Sequence, residues 1–456
     1  MPDVGLLTPG ADLAPGSPAA VTDDVAVLRA MLAAEAAWVR AQARCGVVPA
    51  AVVPVVDRAV VALAADDGAA LALATEVARD AAGGGNPVIP LLARLRAAVE
   101  SGCGPAVEAG VPVADVVGAV HAGLTSQDVL DTALVLVLRD AGRVADAGLG
   151  RAVVAAAGLA RRYRDLPALG RTLTQPAVPT TLGARCAGWL QALAEARARL
   201  DDATRALPLA YGGAAGTLGA LPTPSTGPAE ATSSPSVEPV DATPAPSVEP
   251  VETPSVPVTA GPWPLVDAWA AELGLPVTAG PWHVTRFPVV RAAGALAEAC
   301  AATGTVAADV LVGARGEVGE LREPAAPGRG ASSAMAHKRN PVLSVLVRRS
   351  SLAAPALAAQ VLGSAGEAVD ERPDGAWHAE WPALQQLARH AIGAAHAAAE
   401  LLEGLEVDEA GVARNLREQL GVDAGSADTG AAATVVDRVL ARYAPDAGPD
   451  GAGAER

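Results

Sequence analysis

From Gln127 to Arg162 the chain runs 36 residues without a proline, and apolar side chains return at spacings of three and four. A run of that length and period commits the chain to a long helix. Similar patterns cover residues 127–162, 177–207, 288–321, 342–363 and 381–404, and no alternating stretch of useful length marks a strand. Only 11 of 456 residues are aromatic, so alanine, valine and leucine must fill the core. Such a core suits closely packed helices. The expectation is an all-α fold built on long antiparallel helices.

Before these runs, Val25–Ala43 places Leu28, Met31, Leu32 and Val39 on one helical face, and residues 1–25 are rich in Pro, Gly and Asp. A different kind of sequence interrupts the pattern between Pro222 and Pro257. It holds ten prolines, five acids and no base, and Pro235–Val240 recurs as Pro246–Val251. A stretch of that composition is expected to be a disordered, solvated insert. The heptapeptide PVTAGPW occurs at 257–263 and again at 276–282, bracketing a short helical segment, Leu265–Leu273.

Several classes drop out. The net charge of −16 argues against nucleic acid or an anionic membrane as partner. No stretch approaches 18 apolar residues free of charge or proline, so no membrane span is expected. The start carries Asp3, Asp12, Asp23 and Asp24 without a base, unlike a secretory signal. Cys45, Cys103, Cys186 and Cys300 are far apart and read as reduced thiols of a cytoplasmic protein. No His-x-x-x-His pair, acid–histidine cluster or strand-borne glycine loop points to a metal or cofactor; neither is expected.

Polar residues concentrate in four segments. His121–Asp128 (HAGLTSQD) has capping-box spacing at Thr125 and Asp128, and its free helix-start amides, with His121, Ser126 and Gln127, suit a carboxylate. Gly170–Thr181 reads as a loop entering a helix, with Arg171, Thr172 and Gln175 as donors for an anion. Pro281–Arg286 carries His283 and Arg286 just before another helix. Gly330–Pro341 (GASSAMAHKRNP) contains Lys338, the only lysine in a chain whose other bases are arginine. A Ser-Ser pair followed by Lys and Asn in a small-residue loop fits a mobile lid that carries a base and a cation.

The segment ASSAMAHKRNP resembles the G-S-S-x-M-P-x-K-x-N-P signature of the fumarase/aspartase superfamily, and HAGLTSQD and GRTLTQPAVPTT resemble its two other active-site regions. The likeness runs from about Ala26 to Leu440, outside the insert. Within the superfamily, HAGLTSQDVLDTA, GGNPVIPL, LPLAYGGAAGTLGAL, PWHVTR and HKRNPV resemble the 3-carboxy-cis,cis-muconate cycloisomerases most, with the adenylosuccinate lyases next. The resemblance implies an all-α protein with a central helical-bundle domain at 116–360. Smaller helical domains would flank it at 1–115 and 361–456, the latter with a frayed tail. It implies a homotetramer with active sites shared between chains, acting on a small polycarboxylate. It further implies that Ser332 moves a proton at the carbon beside a carboxylate and that Lys338 and Asn340 stabilise the aci-carboxylate. Asn86, Thr125, Ser126, Gln127, Arg171, Thr172, Gln175, His283, Arg286, Ser333, Met335 and His337 would lie along the substrate.

The departures are informative. Lyases of this kind carry a proton-donating histidine two residues after the Arg of the second region, and here that residue is Leu173. Opening a lactone expels a carboxylate, whose pKa near ~4 makes protonation unnecessary, so Leu173 fits a cycloisomerase. A lyase expelling an amine would need another acid, for which His121 is the candidate. Ala331 and Ala336 replace the signature's Gly and Pro, so lid closure is expected to be slower or less complete. A third reading keeps the bundle as a weakly catalytic scaffold displaying the proline-rich insert.

Overall fold

The computed structural model describes residues 7–14, 16–222, 261–331, 335 and 338–444. The proline-rich insert lies outside them, except Pro222. The first helices are α1 (Asp24–Arg44) and the shorter α2 (Val53–Leu63), α3 (Asp67–Asp80), α4 (Val88–Gly102), α5 (Gly104–Glu108) and α6 (Val113–Gly118). Asp23 opens α1 by accepting the Ala26 N–H at 2.7 Å, which satisfies one of the donors a helix start leaves free. Leu28, Met31, Leu32 and Val39 are buried, as their spacing requires.

The rest is dominated by long helices. α7 (Ser126–Arg162) is followed by a hairpin of β1 (Pro167–Thr172) and β2 (Gln175–Thr181), then α8 (Leu182–Arg205) and the short α9 (Trp263–Leu273). Next come α10 (Phe287–Gly313), β3 (Leu321–Arg322), α11 (Val342–Gly366) and α12 (Gly375–Glu403). β4 (Glu406–Val407), α13 (Glu409–Leu420) and α14 (Ala432–Tyr443) end the fold. Trp269 of α9 meets Trp38 of α1 edge-on at 5.2 Å, tying the first helices to the later chain.

α7, α10 and α12 start at one end of the bundle, and α8 and α11 start at the other. At the first end Arg286, just before α10, bonds to Asp131 of α7 and Glu380 of α12. At the second, the Gly183 N–H of α8 donates to the Tyr163 carbonyl at 2.8 Å. There the Glu323 carboxylate also accepts the Leu343 and Ser344 N–H groups that open α11, at 3.0 and 2.7 Å. Small residues let these helices approach closely. A Cβ on Gly148 of α7 would lie 2.9 Å from the His396 nitrogen of α12, closer than packing allows.

Three sequence expectations need correction. Residues 167–181 form an antiparallel hairpin, Pro167 opposite Thr181 and Thr172 opposite Gln175, where a loop and a helix start were expected. Pro176 and Pro179 deny the backbone donors a helix would use there, and α8 begins only at Leu182, where Thr181 caps it through Ala184 N–H at 3.1 Å. α10 ends at Gly313 rather than 321, because the chain turns to pair Leu321 with Val407. A boundary at 361 would cut α11, and α12 belongs with the bundle through its bonds to α7. α10 and α11 are also long and apolar enough to cross a membrane by length and composition. α10 is a bundle helix with 56% of its apolar window buried; α11 has only 28% buried and carries Val345, Leu352 and Leu362 exposed.

Candidate active site

The sequence-predicted residues fall into two groups at opposite ends of the bundle. One group surrounds the start of α7. Asp128 accepts the Thr125 N–H at 2.8 Å, the capping contact expected from their spacing, and also the Gly213 N–H at 3.1 Å. Its other oxygen lies 2.8 Å from His283 Nε2. Thr125 and Ser126 are half-buried, and His121 stands before them in the left-handed region, with φ +64°.

Behind this strip lies a buried polar network. Gln127 donates from Nε2 to Asp131 Oδ2 at 3.1 Å and to the His283 carbonyl at 3.0 Å. Arg286 forks onto Asp131 at 2.6 and 3.0 Å and reaches Glu380 at 2.7 Å, while Trp377 Nε1 donates to Asp131 Oδ1 at 2.9 Å. Burial alone would pull the Arg286 guanidinium down, but Asp131 and Glu380 hold it above its ordinary value. Burial pushes the Glu380 carboxyl up, and Arg286 opposes it.

These contacts occupy three of the residues expected along the substrate. The Arg286 side chain has no exposed surface, and its donors are spent on two carboxylates. Gln127 is likewise buried, with its amide donors used. His283 is 2% exposed beneath the loop that holds Gly213. All three lie buried around the start of α7. Asn86 turns inward too: it accepts the Val88 N–H at 3.1 Å and donates to the Gly84 carbonyl at 3.2 Å, closing its own loop before α4.

The second group lies at the far end. Arg171 on β1 bonds to Glu320 at 2.7 and 3.1 Å, with Asn415 donating to the same carboxylate at 2.8 Å. Burial would raise the Glu320 carboxyl, but Arg171 and Asn415 bring it below its ordinary value. Arg171 therefore anchors the hairpin, while Thr172 and Gln175 are exposed on it. At the tip, Leu173 and Thr174 both take positive φ, +49° and +69°. A two-residue turn needs this geometry but usually fills it with Asn-Gly. For other residues it costs on the order of 1–3 kcal/mol each, a strain met where function requires it. The result holds Leu173 out at 95% exposure.

The lysine loop shares this end. Asn340 donates from its backbone and side chain to the Gly330 carbonyl, at 2.9 and 3.3 Å, and Ala331 bridges to Arg339, so the loop closes on itself. Gly330 carries the positive φ of +70°, and a Cβ there would lie 2.6 Å from the Asn340 carbonyl. Ala331 is not in the left-handed region, so the alanine that replaces the signature glycine meets no backbone penalty. Lys338 and Met335 are exposed. Ser332, Ser333, Ala336 and His337 lie outside the described residues.

The 37 residues of α7 hold the two groups apart. At 1.5 Å per residue they span about 55 Å, so no single chain brings Thr125 and Lys338 to one small substrate. Sequence reasoning missed Glu320, which holds the hairpin, and Asp131 and Glu380, which hold Arg286. It also missed Glu35, buried on α1 and 2.6 Å from His121 Nδ1. A signal for Glu35 existed: it falls four residues after Met31 and four before Val39, a carboxylate on the apolar stripe. Among the described residues no cluster of His, Cys, Asp and Glu could hold a metal ion. Burial pushes the Cys186 and Cys300 thiols up to about 12, which suits inert packing.

Known proteins resemble this chain. A family profile described as Lyase matches residues 21–229. The nitrosuccinate lyase of Streptomyces davaonensis is 42% identical over 441 residues, covering 96% of this chain and 82% of that protein. The 3-carboxy-cis,cis-muconate cycloisomerase of Bradyrhizobium diazoefficiens is 37% identical, covering 96% and 85%. The crystal structure of the 3-carboxy-cis,cis-muconate lactonizing enzyme from Pseudomonas putida matches with a TM-score of 0.71 and 32% identity, over 90% of this chain and 79% of that one.

Proposed function

Because the chain belongs to the fumarase/aspartase superfamily of lyases, we propose that it eliminates, or in reverse adds, a weakly basic anion at the carbon next to a substrate carboxyl-bearing carbon. The observation that carries this reading is Leu173. The strained hairpin tip presents an exposed apolar side chain where relatives that protonate an amine or hydroxide carry a histidine. General acid catalysis supplies about 10²–10⁴-fold, so a reaction that needs it is poorly served here.

The first specific reading is the conversion of 3-carboxy-cis,cis-muconate to 4-carboxymuconolactone, in protocatechuate breakdown. A substrate carboxylate oxygen adds to one carbon of a conjugated double bond. Electron density moves onto the neighbouring carboxyl-bearing unit as an enediolate-like species, and Ser332 delivers a proton to carbon. Lys338, Asn340 and the free amides in the first turn of α7 are the preorganised donors for that charge. The second reading is favoured by the 42% identity to the nitrosuccinate lyase. A proton leaves the carbon beside a carboxylate, the C–N bond breaks with its electrons, nitrite departs and fumarate remains. Nitrite, like a carboxylate, leaves without protonation, so Leu173 suits both.

Either reaction needs the two ends of the bundle at one substrate, and a homotetramer with shared sites supplies them. The exposed apolar residues Val345, Leu352 and Leu362 on α11 support burial against another copy. The test is a three-substrate comparison with purified protein. Loss of diene absorbance from 3-carboxy-cis,cis-muconate, or nitrite release from nitrosuccinate, is the expected result and selects between the two readings. Adenylosuccinate, whose leaving group is an amine, is expected to stay intact; its rapid cleavage would overturn the leaving-group argument.

A further inference from the structure

His121 and Glu35 form a pair whose geometry exceeds what packing requires. Glu35 lies on α1 and is 1% exposed, yet it carries a carboxylate into the apolar face that also bears Trp38 and Gln42, at helical spacings of three and seven. Its Oε1 accepts from His121 Nδ1 at 2.6 Å, and its Oε2 is buried without a hydrogen-bond partner among the described residues. A carboxylate so placed is costly unless its partner matters. The partner is itself held in a costly state, since His121 takes φ +64°, a region that side-chain-bearing residues rarely adopt.

The surroundings over-determine that state. Gln42, two turns along α1 from Glu35, donates to the Ala119 carbonyl at 2.8 Å, and Arg96 donates to the Val120 carbonyl at 3.1 Å. Both bonds grip the backbone just before His121. Strain maintained by such bracing is characteristic of functional positions. The ring remains 12% exposed, and among the described residues Nε2 has no hydrogen-bond partner. When one imidazole nitrogen is committed to a carboxylate, the other is fixed in direction and role.

We propose that Glu35 is a positioning residue: by accepting the Nδ1–H of the His121 imidazolium it aims the Nε2–H at a carboxylate of the bound substrate. His121 then joins the free amides in the first turn of α7 in holding the anion, and Glu35 acts only through His121. This rests on the proposed carboxylate site, so its test must fail separately from the choice of reaction.

The test is a double-mutant cycle of Glu35→Gln and His121→Gln. It is read in the Kd for fumarate, a plain unsaturated dicarboxylate, and in kcat/KM with whichever substrate is turned over. Glu35→Gln is expected to lose about 10–100-fold, the size seen when the partner orienting a metal-ligating histidine is removed, and His121→Gln at least as much. The double variant is expected to be no worse than His121→Gln alone. Glu35→Asp, which keeps the charge but draws it back by one methylene, serves if the amide variant does not fold and should show the same non-additivity. Additive losses, or wild-type binding in Glu35→Gln or His121→Gln, would overturn the proposal. Coupled fumarate binding without turnover of either substrate would sink the reaction and leave the pairing standing. Turnover with additive losses would sink the pairing alone.

Discussion

Ser332→Ala leaves a folded assembly whose turnover falls by about 10²–10⁴-fold, the range for losing a positioned proton-transfer group. The proposed chemistry makes or breaks a C–H bond beside a carboxylate, and neither Lys338 nor Asn340 replaces the serine. Lys338 offers a compact ammonium for the developing charge, in a chain where every other base is an arginine. Its chemistry is electrostatic, while the proton must come from a group that touches carbon. The measurement is kcat on the substrate selected above, beside a thermal melt. Unchanged activity in a well-folded variant would remove Ser332 from proton transfer.

Arg286→Met destabilises the chain by about 3–5 kcal/mol, the penalty for stripping one partner from a buried ionic network. Asp131 receives Arg286, Trp377 and Gln127, and Glu380 faces the same guanidinium. Methionine fills most of the volume but leaves two buried carboxylates facing each other across the start of α7. Burial already pushes the Glu380 carboxyl up with Arg286 in place, so removing the cation leaves that carboxyl with desolvation and the Asp131 charge unopposed. Denaturant unfolding reads the loss, with Arg286→Lys falling between wild type and Met because an ammonium cannot replace the planar fork. A methionine variant as stable as wild type would show that the network adds nothing to the fold.

The bundle was legible because long alanine- and leucine-rich runs leave few alternatives, and α7 starts where the Thr125–Asp128 box places it. The hairpin was not. Its turn is Leu173–Thr174 instead of a glycine-bearing pair, and its short strands contain Pro176 and Pro179, which hide the alternation. The site was half legible for a related reason. Segment composition finds the polar clusters, but it cannot tell a residue that faces a ligand from one that braces the wall. Arg286 became structural only because Asp131, 155 residues earlier, and Glu380, 94 residues later, converge on it. Leu173 carried more information than any polar residue, because its position was informative and its side chain could not perform the usual step.

Under the proposed function, one active site needs the Thr125 end of one chain and the Lys338 end of another. Co-refolding Thr125→Ala with Ser332→Ala, each first assayed alone for lost turnover, and then assaying the mixture tests this sharing. Recovered turnover is expected, up to about one quarter of wild type, the random-mixing chance that a shared site draws an intact Thr125 end from one chain and an intact Ser332 end from the other. A mixture of hybrid assemblies no more active than its parents would contradict it.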